Sequence, residues 1–414
     1  MPKNSFKSDF PTELIREGTG TFVVPRLKAF VKSPEEYAPS KAPVFFNPVM
    51  ELNRDIAVLA LQSFQKTVNR EITVCEPLAS CGIRGIRFAR EVRGIKKVIM
   101  NDINFRATKI AEQNIEINGV TKKVVVKNRD ANQILSSYST PHRRFDAIDI
   151  DPFGSPVHYM DSALRALRNQ GLLALTATDM APLCGVHQKA CIRKYGGKPL
   201  RTEYCHELAV RLLLGCAAAM AAKHEIGVKP VFSHVSDHYA RVYITIAYGA
   251  RKADESLENM GYVLHCFDCF HRESIKGLTS LSGHSMKCVE CGSPLKPGGP
   301  LWIGDLLQED FCDLMLVETG KRAFRNGAKI EKMLNLARSE VKAPLGYYVI
   351  DKLCDALNRP VPSVKKMVEA IGEKGNSVWL THFSSKAIKS TASASVMMEV
   401  LRQILPSESD GEKS

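Results

Sequence analysis

Phe145-Asp146-Ala147-Ile148-Asp149-Ile150 runs straight into Asp151-Pro152-Phe153-Gly154-Ser155-Pro156, and the fold turns on this stretch. The first six residues form a short apolar run interrupted by acids and closed by proline and glycine, which predicts a β-strand entering a turn. Acids are unusual in a buried strand, and period-two spacing puts Asp149 and Asp151 on one face. Asp151 then lies at the carboxyl end of the strand, where open α/β sheets bind their ligands.

Outward from this strand, short β-rich runs alternate with helical patterns from Arg70 to Gly249. The strands are predicted at Ile72–Glu76, Lys97–Asn101, Lys123–Lys127, Phe145–Ile150 and Gly171–Thr178, with later ones at Pro230–Ser236 and Arg241–Tyr248. Helices are expected at Met50–Val68 (amphipathic), Ile83–Val92, Phe105–Asn118, Val157–Arg168 and Thr202–Lys223. Alternation of this kind means a largely parallel sheet between helical layers. The last two strands are close enough to form an antiparallel hairpin. Five parallel strands followed by a hairpin resemble a class I methyltransferase (Rossmann-like) sheet rather than a nicotinamide-binding one.

The loop after the first strand reads Glu76-Pro-Leu-Ala-Ser-Cys-Gly82-Ile-Arg84-Gly85. Gly82 and Gly85 are expected to let a ligand approach the backbone, with Glu76, Gly82 and Arg84 beside a cofactor. Asp102, 26 residues after Glu76, either accepts hydrogen bonds from ribose hydroxyls or caps the next helix. Asp130-Ala131 either meets an adenine amine or opens a helix through an Asx-turn. Asp179 either lines the crevice or starts a turn.

Asp151-Pro152-Phe153-Gly154 suits methylation of an exocyclic base amine. The lone pair of such an amine is delocalised into the ring, so acceptors must draw its protons and aim the nitrogen. The Asp151 carboxylate and the Pro152 carbonyl are the two acceptors, and Asp151 is placed to take the proton. Phe153 offers a flat face for the base. The competing reading is a strand–proline–glycine turn carrying an incidental acid.

Cys266-x2-Cys269-x18-Cys288-x2-Cys291 has zinc-ribbon spacing. Four thiolates close the shell, so the expected zinc is structural. His265, His271 and His284 are read as bystanders, and cysteines such as Cys75, Cys81, Cys184 and Cys216 as small core residues. Pro294–Leu301 reads as a linker. Tyr347–Asn358 and Ser363–Ile371 read as a helix–turn–helix followed by a wing strand at Ser377–Thr381, and Pro406–Ser414 as a disordered tail. The formal charge of +13 favours a polyanionic partner. Neither a membrane span nor a signal peptide is expected, the longest uncharged apolar run being Leu212–Ala222. With reduced thiols this suggests a cytoplasmic protein, expected to be a monomer.

Together these residues resemble the tRNA guanine-N2 dimethyltransferase family. The resemblance rests on PVFFNP (Pro43–Pro48) with LNRD (Leu52–Asp55), CGIRGIRFA (Cys81–Ala89), IDIDPFGSP (Ile148–Pro156), TATDMAPLCG (Thr176–Gly185), LRTEYCHE (Leu200–Glu207), SDHYARVYI (Ser236–Ile244) and THFS (Thr381–Ser384). It implies transfer of one or two methyl groups from S-adenosylmethionine to N2 of guanine 26 in tRNA. Asp151 would be the acid/base, Phe153 and Phe45 the stacking rings, and Arg54, Asp102, Asp130 and Ala131 cofactor contacts. It implies an order of methyltransferase domain (1–250), zinc-ribbon segment (251–300) and α+β, winged-helix-like tRNA-binding domain (301–414). Methyltransferases of DNA adenine, rRNA or protein glutamine carry Pro-Pro after the acid, where this chain has Pro152-Phe153. A zinc-ribbon and winged-helix binding module without catalysis is the non-enzymatic alternative.

Overall fold

A computed structural model describes residues 8–31, 33, 39–236, 238–279 and 281–405. The expected tail beyond Leu405 and most of the N-terminal stretch lie outside these residues.

The described chain opens with a hairpin, β1 (Thr12–Glu17) and β2 (Gly20–Pro25), which has no counterpart in the sequence reading. Helix α1 (Glu51–Val68) follows, then β3 (Ile72–Glu76), α2 (Ile83–Glu91), β4 (Ile95–Asn101), α3 (Phe105–Ile117), β5 (Val124–Lys127), α4 (Ala131–Ser136), β6 (Phe145–Ile150), α5 (Val157–Ala166) and β7 (Leu167–Ala177). Two short helices, α6 (Met180–Leu183) and α7 (Gln188–Tyr195), lead to the long α8 (Cys205–Ala222), and β8 (Ile226–Ser236) and β9 (Tyr239–Tyr248) complete the unit. The sheet order is β5-β4-β3-β6-β7-β9-β8, with β9 antiparallel to both neighbours and the other pairs parallel. The chain reverses direction across the sheet between β3 and β6, so their carboxyl ends open a crevice. The expected mixed sheet is therefore the one observed.

Strand β6 is buried along its whole length, and its acids survive there because each meets arginine. Asp146 pairs with Arg70 at 2.7 Å and Arg168 at 3.2 Å. Asp149 pairs with Arg241, and both Asp149 and Asp151 reach Arg84. Buried carboxylates are tolerated only with such partners. The expected amphipathic character of α1 gives way to burial of nearly its whole first three turns, Asn53, Arg54 and Asp55 included. The cause is a second layer: α10 (Glu309–Thr319) packs across α1, with α11 (Gly327–Ser339) beside it.

Helix α8 is long and apolar enough to cross a bilayer, and most of it is buried inside the fold. It packs against β8 and against residues 296–302, with Glu207 and Arg211 buried as an ion pair at 2.8 Å.

Beyond β9 come α9 (Ala250–Leu257), β10 (Met260–His265), β11 (Arg272–Lys276) and β12 (Lys296–Trp302), the strands forming a sheet of order β11-β10-β12. The expected linker at Pro294–Leu301 is thus mostly strand β12. Its prolines and glycines sit in an edge strand that pairs with β10 through a register shift and is bridged on its other side at Gly299 to Lys198, a place where missing donors and bulges are tolerated. Residues 306–337 join the same core as the main sheet. A separate core holds β13 (Tyr348–Val349), α12 (Ile350–Leu357), α13 (Val364–Glu373), β14 (Val378–Thr381), β15 (Ser384–Ser390) and α14 (Ala394–Ile404). The expected helix–turn–helix is α12–α13, with Ser363 capping α13 through Lys366 N at 3.2 Å. Lys389 ties this unit to the first: its ammonium lies 2.9 Å from Glu207 and 3.3 Å from Glu340.

Candidate active site

A cavity of about 670 Å³ opens at the carboxyl ends of β3, β4 and β6, within the size range of small-molecule sites. Its lining includes Phe45, Arg54, Glu76, Ser80, Arg84, Asp102, Asp151, Pro152, Phe153, Thr178 and Tyr239. Of the residues expected at the site from sequence, Asp151, Pro152, Phe153, Phe45, Arg54, Glu76, Arg84 and Asp102 are brought together here. Gly82, Asp130 and Ala131 are not among the lining residues.

The glycines have a packing role. Gly82 has φ +76° and precedes α2, and a Cβ there would come within 2.8 Å of Met100. A Cβ on Gly85 would meet Met100 and Glu76 side chains at 2.5–2.8 Å. These contacts face the protein, so the glycines let the loop lie against β4. Asp130 takes the capping role: its carboxylate accepts from Asn132 N at 2.9 Å and Gln133 N at 3.1 Å. Ala131 is buried as the first residue of α4.

Asp102 does not cap the helix that follows it; backbone donors hold its carboxylate in place. One oxygen accepts from Ser80 N at 2.8 Å and the other from Asn104 N at 2.9 Å. Helix α3 is capped by Asn104, not by Asp102. An ionised carboxylate has about four acceptor positions, so two backbone bonds leave capacity for hydroxyls on the cavity side. Glu76 accepts from Gly85 N at 2.9 Å. Burial pushes its carboxyl up to about 8, with Arg84 pulling the other way.

Arg84 sits at the junction of the two halves. Its guanidinium donates to Asn53 Oδ1 at 2.8 Å, lies 3.4 Å from Glu76 and 3.6 Å from Asp149, and pairs with Asp151 Oδ2. One buried cation thus links the acid expected beside the cofactor to the acid expected to do the chemistry. Arg241, fully buried, backs this group through Asp149, Thr176 and the Tyr243 hydroxyl. Period-two reading of β6 placed Asp149 and Asp151 on one face, and their common partner Arg84 is the result.

The loop Pro43–Pro48 forms the outer wall. Phe45 O accepts from the Ser80 hydroxyl at 2.5 Å, and Pro43 O accepts from Asn104 Nδ2 at 2.8 Å. Phe45 meets Phe153 edge to face with centroids 4.3 Å apart, and Phe153 is 67% exposed. Gly154, at φ +74°, donates to Thr178 Oγ1 at 2.7 Å and accepts from Thr178 N at 2.9 Å. This clamp fixes the turn after the acid to the end of β7. Asp179 does not line the cavity; it accepts from Tyr195 at 2.5 Å and Lys194 at 2.9 Å and so anchors α7.

Sequence reading missed Glu17. From the hairpin it binds Arg54 at 2.5 Å and Arg87 at 2.9 Å. Burial alone would raise its carboxyl, but the two guanidiniums hold it below the usual carboxylate range. Arg54, which lines the cavity, is therefore oriented from outside the main sheet. The nearest sequence signal was the run of helix-face charges Arg54-Asp55, which implies buried partners elsewhere.

The four expected metal ligands also converge. The sulfurs of Cys266, Cys269, Cys288 and Cys291 all lie within 4.8 Å of one another. Both knuckles are closed alike. Cys266 N donates to His271 O and Phe270 N to Cys266 O, at 2.8 and 3.0 Å; Cys288 N donates to Ser293 O and Gly292 N to Cys288 O, both at 2.8 Å. Four thiols in two such turns fit a tetrahedral zinc ion. His271 is engaged with Glu290 at 2.5 Å and His265 with the Tyr204 hydroxyl at 3.2 Å, in keeping with bystander roles. Cys184 departs from a plain core residue: it is half-buried beside Cys205 and His206.

This sheet order, with acids at consecutive strand ends around a cavity, defines an α/β S-adenosylmethionine-dependent methyltransferase. Residues 26–402 match the family model described as N2,N2-dimethylguanosine tRNA methyltransferase, and the chain belongs to that family. A Methanothermobacter thermautotrophicus tRNA (guanine(26)-N(2))-dimethyltransferase is 40% identical over 367 residues, 89% of this chain and 94% of the relative. An Aquifex aeolicus tRNA (guanine(26)-N(2)/guanine(27)-N(2))-dimethyltransferase is 33% identical, over 95% of this chain and 96% of that one. The structure of Trm1 from Pyrococcus horikoshii with S-adenosyl-L-methionine is 32% identical, with a TM-score of 0.80 over 94% of this chain and 99% of that chain.

Proposed function

We propose that the chain transfers methyl groups from S-adenosylmethionine to the exocyclic N2 of guanine 26 in tRNA, giving the dimethylated base. The observation that carries this reading is Asp151, at the carboxyl end of β6, in one cavity with Pro152, Phe45 and Phe153. The cofactor, when bound, would supply an electrophilic methyl group, its sulfur keeping the S–C bond pair and leaving as a neutral thioether. Glu76, Asp102 and Arg54 fit its binding: two carboxylates stand at neighbouring strand ends, and Asp102 has acceptor capacity to spare. Asp130 and Ala131 remain proposed contacts at the adenine end.

Arg84 holds Asp151 Oδ2, and Oδ1 makes no hydrogen bond among the described residues. Asp151 and the Pro152 carbonyl then accept the two amine protons, which frees the nitrogen lone pair to point at the methyl group. As the N–C bond forms, Asp151 takes one proton, and a second turn uses the remaining one. Phe45 and Phe153 stack the base, which must leave its helical stack to reach the site. Zinc, when bound by Cys266, Cys269, Cys288 and Cys291, braces residues 251–300, and the basic segment 301–414 contributes to gripping tRNA.

The test is methylation of bulk tRNA with labelled cofactor, followed by mapping of the modified nucleoside. Label in N2,N2-dimethylguanosine at position 26 is expected. Label on adenine N6 or on protein refutes the assignment, and label at position 27 as well would widen it.

A further inference from the structure

Cys184, Cys205 and His206 form a second cluster of soft donors, separate from the four cysteines of the ribbon. Their two sulfurs and an imidazole nitrogen all lie within 4.8 Å of one another. Bonds of about 2.3 Å to sulfur and about 2.0 Å to nitrogen put the ligand atoms of a tetrahedral zinc site about 3.5–3.8 Å apart. The three donors therefore need to close by only about an ångström, which side-chain rotation supplies. Two thiolates and a neutral imidazole are also the donor types that a zinc ion takes in preference to oxygen.

The local fold brings the three together from two separate segments. Cys184 follows α6, with its N–H bonded to Met180 O at 2.7 Å, and Gly185 turns the chain at φ +88°. A Cβ on Gly185 would come within 2.8 Å of Arg201 N, so this turn lies directly against the segment that enters α8. Cys205 and His206 are the first two residues of that helix, and Cys205 N donates to Thr202 O at 3.2 Å. A helix N-terminus favours the thiolate, the form of cysteine that binds metal. The His206 ring makes no hydrogen bond or ion pair among the described residues. All three residues are half-buried, which leaves an ion a way in and a place for water beside it.

We propose that Cys184, Cys205 and His206 form a second zinc site, with three protein ligands and a water completing the tetrahedron. Binding displaces the two thiol protons to solvent, and the two thiolates balance the charge of the ion. The site closes a segment that begins at Thr178, which lines the cavity and clamps Gly154, and at Asp179, which anchors α7. An ion at its far end ties that segment to α8 and fixes this wall of the cavity at a second point.

The experiment strips the full chain with a chelator in the presence of reductant and titrates it with Co²⁺, a spectroscopic substitute for zinc. Thiolate-to-cobalt charge transfer then reports how many sulfurs each ion meets. Wild type should take two equivalents, one for each cluster. Cys184→Ser should lose one of them and about a third of the charge-transfer absorption, the share of two sulfurs in six. His206→Gln keeps every thiol and should lose the same equivalent, which guards against a serine that merely disturbs the turn. A wild type that takes only one equivalent would overturn the inference. So would a second equivalent that survives in both variants, because that ion is bound elsewhere. A Cys184–Cys205 disulfide that persists in reductant would overturn it as well.

Discussion

Replacing Asp151 with alanine should separate chemistry from folding, because the site divides these duties between two neighbouring acids. Asp151 is partly exposed, with a side chain 16% accessible, and among the described residues its ion-pair partner is Arg84. After its loss Arg84 still holds Asn53 at 2.8 Å, Glu76 at 3.4 Å and Asp149 at 3.6 Å. No buried cation is stranded, so the stability cost should be about 1.5–3 kcal/mol, one charge-assisted hydrogen bond. The chemical cost is larger. A positioned general base is worth roughly 10²–10⁴ in rate, or about 3–5 kcal/mol of barrier. Asp149→Ala is the opposite case. Asp149 is the carboxylate on the fully buried Arg241, and breaking a buried pair costs about 3–5 kcal/mol of folding free energy. The assay is single-turnover methyl transfer at saturating cofactor, with cofactor affinity by calorimetry and Tm by scanning calorimetry. Asp151→Ala should lose about a thousandfold in rate with near-normal affinity and Tm, and Asp149→Ala should lose Tm first. Asp151→Ala turnover within about threefold of wild type would refute the assignment. So would a rate loss that merely tracks lost cofactor affinity or folding.

Phe153→Ala removes a ring that is 67% exposed and contributes little packing. It should raise KM for tRNA by about five- to a hundredfold, from roughly 1–3 kcal/mol of stacking, and an unchanged KM would remove the ring from the base slot. Glu76 sets a pH dependence. Its carboxyl ionises near 8 in the folded chain against an ordinary 4.5, so the uncharged form is the one folding favours. That stability is fully present below about 4.5 and is lost as pH rises through 8. The Tm of wild type relative to Glu76→Gln should therefore fall between pH 5 and 8.5, and a flat difference would contradict the burial argument. Stripping zinc with a chelator should expose residues 260–302 to hydrogen exchange while the exchange of β3 and β6 is unchanged, since the four sulfurs lie outside the main sheet. Simultaneous loss of protection in β6 would show that the ribbon supports the site directly.

Some of this architecture was legible in the chain, and the limits follow from where information is local. Ile72–Glu76 and Phe145–Ile150 were bounded to the residue, each flanked by glycine, proline or charge that stops a strand. Asp151 was placed at its strand end by the same punctuation. The hairpin β1–β2 was not visible, because it is held by Asn114 on α3 and Asn118 just beyond it, about 90 residues away. Glu17 was missed for that reason. Strand β12 looked like a linker because its composition speaks of flexibility, whereas its pairing with β10 is a long-range fact. The glycines of the first loop were read towards the ligand, and their absent side chains also make space for Met100. Asp102 and Asp130 each carry two readings in the sequence, and the partners of their oxygens make Asp130 a helix cap and leave the cap of α3 to Asn104.

The hydrogen bond from Ser80 to the carbonyl of Phe45 bears on how this scaffold could be redesigned. The strip proposed to receive the base is moored through its own backbone, since Ser80 and Asn104 both reach main-chain carbonyls. A graft that gives Pro43–Pro48 the side chains of an enzyme of another base preference therefore keeps both moorings, whatever residue stands at position 45. The ring is the exchangeable part and its anchorage stays behind in the scaffold, so a library confined to this loop leaves Ser80 and Asn104 fixed.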